Sequence, residues 1–297
     1  MERSVAMGRK TRLFCGWVVA VLLAVSCAVS AAQCEGLEGL EPVYRAEEDS
    51  PYFQTVTGCA VFYSETENVI NVYNQELAAL ATAPNSTFKI LSCLMGLESG
   101  AIDPEQSTIS WDGFAYPLEA WNRDLDYKQA FRVSAIWYYR QVLDRVGPDF
   151  VQSALDRLSY GNCDISALEG GGNLYFPEIR DLEAVNGFWQ ESSLRISPLN
   201  LVDVLYRIFH DGGGFGAENI ALVMDVMLTD TDIEGLALYG KTGTGVQSET
   251  WTNAWFTGLY EYRGDTVYFA VRENEPNTTG QYAKEIALRI IDDRTRE

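Results

Sequence analysis

Ser86 and Lys89, in the stretch PNSTFKI, are the residue types that make a nucleophile and its base. Three residues apart in a helix, their side chains share one face of the first turn. The free N–H groups and positive dipole end there favour developing negative charge by about 0.3–1 kcal/mol. A serine hydroxyl is a weak nucleophile until a base takes its proton. A lysine buried among apolar groups loses its charge readily and can be that base. Phe88, Ile90, Leu91, Leu94, Met95 and Leu97 make the helix predicted from Pro84 to Gly100 apolar on most faces, hence buried. By itself, Ser-x-x-Lys fits a helix cap with a surface lysine equally well.

A second stretch, GLALYGKTGTG at 235–245, spells the phosphate-binding pattern G-x-x-x-x-G-K-[ST]. A phosphate loop needs a strand before its first glycine and a helix at its Lys-Thr. Here the interval Leu236–Tyr239 is itself strand-like, and TNAWFTGLYEY and TVYFAV follow, both aromatic and β-branched. Three readings are open: a phosphate cradle, a chance match in a β-meander, or a strand presenting Lys241-Thr242-Gly243 to a substrate. Further candidates lie between the two stretches: Ser134 in FRVSAIWYY, Tyr160-Gly161-Asn162 after a helix, and Phe188-Trp189 ahead of ESSLRISP. Each alone also reads as a cap, a turn or core packing. His210, the one histidine, precedes Asp211 and three glycines, where a helix-end dipole and capping role is expected.

Taken in order, the set resembles the class D, oxacillinase-type serine β-lactamases over roughly residues 55–293. The matching pieces are STFK (86–89), WDG (111–113), WNRD (121–124), AFRVSAIWYY (130–139), YGN (160–162), FW (188–189) with ESSLRISP, and YGKTGTG (239–245). The resemblance implies acylation of Ser86 by the β-lactam carbonyl. It implies that carbon dioxide carboxylates Lys89, which then acts as general base in both half-reactions, with the Trp189 indole N–H supporting it. No other cofactor and no metal is implied. Ser134 would carry a proton to the leaving nitrogen, Lys241, Thr242 and Gly243 would hold the substrate carboxylate, and the Ser86 and Thr244 N–H groups would form the oxyanion hole. Donors of that kind are worth about 2.7–4 kcal/mol each in other enzymes.

The chain departs from that pattern at three places. Ile136 lines the site where valine is usual. Twenty-six residues, 163–188, separate Asn162 from Trp189, far more than the family has. The arginine many members carry near the last helix is missing, which leaves Lys284 or Arg272 to stand in as the carboxylate anchor.

The elements that must position these groups follow from periodicity. Two strand-like runs in GCAVFYSETENVINVYN turn near Glu67-Asn68. Helices are predicted at 84–100, 131–146, 148–158, 199–210 and 217–228, strands from 236 to 275, and a last helix from about Tyr282 to Asp292. This order implies an α+β fold: an antiparallel sheet flanked by helices, with a mostly helical region inserted between its strands.

Arg3, Arg9, Lys10 and Arg12, the apolar run Leu13–Ser26 and the small residues Ser30-Ala31-Ala32 read as a cleavable signal at 1–32. Export to a periplasmic or extracellular space is expected, without a stable membrane span. Cys27 offers a lipoprotein alternative. An acidic, flexible lead-in is expected at 33–54 and one catalytic domain at 55–297. The chain has 297 residues and a net charge of −20, which argues against a nucleic-acid partner and leaves small β-lactams as the expected ones. The cysteines show no metal-binding spacing. Two rival readings share the motifs: a penicillin-binding sensor domain that is acylated without turnover, and a peptidoglycan transpeptidase or carboxypeptidase. Sensors carry several membrane spans ahead of the domain, and the single cleavable segment here favours a free enzyme. Oligomeric state is not legible.

Overall fold

A seven-stranded sheet runs through the protein. Its strands, in chain order, are β1 (Val43–Glu47), β2 (Gly58–Ser64), β3 (Val69–Tyr73), β4 (Leu228–Thr229), β5 (Ala237–Gln247), β6 (Thr250–Tyr262) and β7 (Asp265–Glu273). Their order across the sheet is β1-β3-β2-β7-β6-β5-β4. All neighbours are antiparallel except β1, which pairs parallel with β3. The computed structural model describes residues 43–47, 51–53, 55–167, 187–247 and 250–296. The signal and lipoprotein readings, and most of the 163–188 insertion, lie outside them.

The helices are α1 (Gln75–Ala79), α2 (Lys89–Glu98), α3 (Tyr127–Arg132), α4 (Ile136–Val146), α5 (Pro148–Leu158), α6 (Pro198–Phe209), α7 (Ala217–Met227) and α8 (Gly280–Arg296). Alternation along the central strands sends side chains to two cores. Ala60 and Phe62 of β2, with Phe256 and Phe269, pack against Ala283, Ile286 and Ile290 of α8. Cys59, Val61 and Tyr63, with Trp255 and Tyr268, face α2, α4 and α6. Each large apolar side chain so buried contributes about 1.5–3 kcal/mol. Local chemistry fixes the helix starts. Asp126 and Gln129 form a reciprocal capping box on α3, and Ser197 caps α6 with Pro198 in its first turn.

The predicted hairpin, α5, α6, α7, the later strands and α8 are present, and the α+β architecture is as read. Three expectations are corrected. The lead-in at 33–54 contains strand β1, because a backbone ladder forms regardless of the acidic side chains around it. The helix predicted over 131–146 is two helices, α3 and α4. Ser134 adopts a left-handed φ of 58°, which ends one helix before the next begins. Helix α2 also starts later than expected: Asn85–Phe88 is a 3-10 turn, and the α-helix proper begins at Lys89. The P-loop spelling is fortuitous, since 237–247 is one continuous strand.

Candidate active site

The 3-10 turn Asn85–Phe88 delivers Ser86 to the mouth of the site, only 8 % exposed, and the start of α2 buries Lys89 completely. Lys89 Nζ lies 2.8 Å from Ser86 Oγ. Burial, and secondarily the charge on Lys241, holds the Lys89 amine well below its ordinary value. An amine whose charged form is disfavoured in this way can act as a base toward the serine hydroxyl.

A second pair stands opposite. Lys241 on β5 places Nζ 3.0 Å from Ser134 Oγ and 2.8 Å from the Thr242 carbonyl. Its ammonium also sits 5.7 Å from the centre of the Phe131 ring. Burial lowers Lys241 to about 7. The break between α3 and α4 aims Ser134, and the Trp121 indole N–H holds that break by donating to the Val133 carbonyl at 2.9 Å. The Lys241 charge acts on Lys89, and Gly243 of the same strand packs against the turn that carries Ser86, so the two Ser-Lys pairs form one site.

Alternation along β5 sorts the rest of that strand. Lys241, Gly243 and Gly245 turn inward, while Thr242 and Thr244 turn toward α8. The Thr244 hydroxyl accepts the Gly280 N–H at 2.9 Å. Its side chain is thereby occupied, and only its main chain is left for an oxyanion role. A Cβ at Gly243 would lie 3.1 Å from both the Pro84 carbonyl and the Thr87 side chain, so the strand needs glycine to press against the nucleophile's turn. Pairing with β4 stops at Tyr239, and Lys241-Thr242-Gly243 lies beyond it.

Trp189 is buried and stacks on Phe88, with ring centres 5.7 Å apart. Its main-chain carbonyl accepts the Asn85 N–H at 2.9 Å. The Trp189 indole N–H meets no acceptor among the described residues, although such groups are rarely left so. Ile136, the first residue of α4, is buried in the same apolar cluster as Phe88 and Trp189. The Tyr160-Gly161-Asn162 loop braces the Trp189 segment: Asn162 accepts the Arg195 N–H and donates to the Ser193 carbonyl.

The two stand-in carboxylate anchors are elsewhere. Arg272 is 1 % exposed and donates to the carbonyls of Leu77 and Leu80 and to the Thr82 hydroxyl. Packing on Trp255 completes its role as a brace under the site. Lys284 lies on α8 with its ammonium 5.9 Å from the Phe256 ring centre, on the face of the sheet opposite Lys241. Both are corrections to the sequence reading, which could not show that Arg272 of β7 is taken up by distant carbonyls or that α8 carries Lys284 on the other face of the sheet. His210 pairs with Glu65 and stacks on Tyr206 at the end of α6, and takes no part in the site. Cys59, Cys93 and Cys163 are free thiols; burial pushes Cys59 up to about 11 and Cys93 up to about 12.

Sequence reasoning missed Asn85, Glu191 and Asn253. Glu191 Oε1 accepts from the Asn85 and Asn253 side-chain amides at 2.8 and 2.7 Å. The one local signal was an asparagine, a residue tolerant of left-handed backbone, directly before the nucleophile.

Residues 53–292 match the penicillin binding protein transpeptidase domain, and the chain belongs to that family. It is 31% identical over 283 residues to the regulatory protein BlaR1 of Bacillus licheniformis, which covers 94% of this chain and 44% of that protein. The chain thus spans less than half the length of that relative. It is 30% identical over 239 residues to the probable beta-lactamase YbxI of Bacillus subtilis strain 168, covering 80% of this chain and 81% of that one. Among solved structures, the C-terminal domain of the Bacillus licheniformis BlaR penicillin-receptor matches with a TM-score of 0.75 at 32% identity, covering 86% of this chain and 97% of that domain. A class D beta-lactamase from Bacillus subtilis matches with a TM-score of 0.71 at 30% identity, covering 82% and 93%. The fold is therefore that of the serine β-lactamases and penicillin-binding transpeptidases, and receptors and hydrolases stand at similar identity within it.

Proposed function

We propose that this domain is acylated by β-lactams at Ser86 and hydrolyses them, in the manner of a class D serine β-lactamase. The observation that carries this reading is the fully buried Lys89 amine, its charged form disfavoured by burial, 2.8 Å from Ser86 Oγ. Lys89 takes the Ser86 proton as Oγ attacks the lactam carbonyl. The ring C–N bond breaks, and Ser134, fed by Lys241, returns a proton to the leaving nitrogen. Lys241 holds the substrate carboxylate as a point charge. The Ser86 and Thr244 N–H groups stabilise the oxyanion. Water then attacks the ester and frees Ser86.

Carboxylation of Lys89 by carbon dioxide fits the residues present. It requires a neutral amine in apolar surroundings; Lys89 is completely buried, Phe88, Ile136 and Trp189 belong to the same apolar core, and the Trp189 indole N–H, without an acceptor among the described residues, is a donor for the added carboxylate. When in place, that carboxylate supplies a general base able to activate water. We propose further that residues 1–32 direct export and are removed before Gln33.

A second reading, a sensor domain acylated without turnover, is favoured by the likeness to BlaR1 across 94% of the chain. Stopped-flow kinetics with a chromogenic cephalosporin in bicarbonate separates the two. Hydrolysis gives a burst followed by steady turnover. A burst with no turnover establishes the sensor. Absence of a burst removes both.

A further inference from the structure

Three non-glycine residues, each held in the left-handed region, converge on one carboxylate. They are Asn85 at φ 52°, Glu191 at φ 43° and Asn253 at φ 49°. Asparagine tolerates that region; glutamate rarely enters it. Such backbone persists only where its surroundings over-determine it, and it gathers at working sites. The three come from three separate parts of the chain: the turn before Ser86, the segment after Trp189, and strand β6.

Glu191 is the common point. Its side chain is only 3% exposed, and a single oxygen, Oε1, takes both amide donors. A Cβ built on Gly245 would fall 1.9 Å from that oxygen and 2.6 Å from Asn85 Nδ2. The carboxylate therefore lies flat on the main chain of β5, one residue past Thr244. Asn253 extends the link by donating to the Ala83 carbonyl at 3.0 Å and accepting from Thr82 at 3.1 Å. Oε2 lies 3.9 Å from the Arg195 guanidinium, and Arg195 is 38% exposed, so that ion pair is weak.

We propose that Glu191 is a positioning residue that sets the spacing between the Ser86 and Thr244 main-chain N–H groups. It anchors the residue before Ser86 and presses on the residue after Thr244. One carboxylate thereby fixes both ends of the oxyanion hole. The inference rests on the acylation chemistry proposed above. Its operative property is the acceptor oxygen, not the negative charge. The effect belongs on the bond-making step, because the oxyanion exists only once Ser86 has attacked.

The test is the acylation of Glu191→Ala and Glu191→Gln by a fluorescent penicillin, resolved into initial binding and the acylation rate constant. Alanine strands two buried amide donors, and the rate constant is expected to fall about 10- to 100-fold, with binding changed by no more than about two-fold. Glutamine keeps Oε1 as acceptor and is expected to stay within about three-fold of wild type. Gly245→Ala, which drives a methyl group into Oε1, reproduces the alanine defect and serves if Glu191→Ala does not fold. A wild-type rate constant in Glu191→Ala or Gly245→Ala overturns the inference. So does a loss confined to binding, or a glutamine variant as slow as alanine. Crystal structures of the variants decide the matter independently of the substrate. Asn85 is expected to leave the left-handed region in Glu191→Ala, and an unmoved Asn85 is a refutation. If wild type itself is not labelled, the acylation reading falls, and these structures alone judge Glu191.

Discussion

Lys89 and Lys241 occupy two neighbouring pockets of one site, and the pockets make different reagents of the same side chain. Lys89 is sealed at the start of α2, with the Ser86 hydroxyl as its hydrogen-bond partner among the described residues, beside a second positive charge. Its amine is driven well below its ordinary value, which suits it to the role of base proposed for it. Lys241 is also buried, but it meets a carbonyl, a hydroxyl and an aromatic face, all of which tolerate an ammonium. It settles at about 7 and can serve as a cation toward an anionic substrate or as a proton donor toward Ser134. Residue type is common to both; the acceptors within reach assign the role.

The comparison breaks most visibly if the base pocket is emptied. Lys89→Ala is expected to lower acylation and hydrolysis together by about 10³-fold or more, the scale of a lost general base. Single-turnover kinetics with benzylpenicillin measures it. A variant that still acylates at an appreciable rate would move the base to Lys241.

Emptying the other pocket should read differently. Lys241→Met removes a charge-assisted contact worth about 1.5–3 kcal/mol, so initial binding of a carboxylate-bearing β-lactam should weaken about 10- to 100-fold. A substrate analogue lacking that carboxylate should be bound with little change. Equal loss for both ligands would contradict an anchoring role.

Trp189→Phe keeps the stacking on Phe88 and removes only the indole N–H. Deacylation is expected to slow about tenfold, more than acylation does, with partial rescue by added bicarbonate. Rapid-quench separation of the two steps checks this.

The smallest expected effect is on stability. Lys241 titrates at about 7 in the folded protein, against an ordinary 10.5. Between those values the unfolded chain binds more protons, so the contribution of Lys241 makes stability rise with pH across that window. Lys89 acts in the same direction. Urea midpoints at pH 7 and pH 9 should therefore rise more steeply in wild type than in Lys241→Met. Parallel slopes would show that Lys241 is not depressed.

Much of this arrangement was legible in sequence because it is local. Ser86 and Lys89 share a turn by spacing alone, and the apolar faces of α2 foretold its burial. The strand character of 236–247 already argued against a phosphate loop. What was not legible depends on distant partners. Asn85 holds its left-handed turn through Glu191, 106 residues away. Ser134 interrupts a helical pattern because Trp121 fixes the preceding carbonyl. Arg272 looked free to bind substrate until the fold brought the carbonyls of Leu77 and Leu80 to its guanidinium. Strand β1 lay inside an acidic stretch whose composition masks its backbone pairing with β3.

The central claim is that Ser86 is the nucleophile and that its ester is released. Time-resolved mass spectrometry of the intact protein with benzylpenicillin in bicarbonate tests it most directly, with peptide mapping of the adduct. The account predicts a single adduct on the peptide containing Ser86, absent in Ser86→Ala, that forms early and clears as substrate is exhausted. An adduct on another residue, or one that never clears, would contradict it.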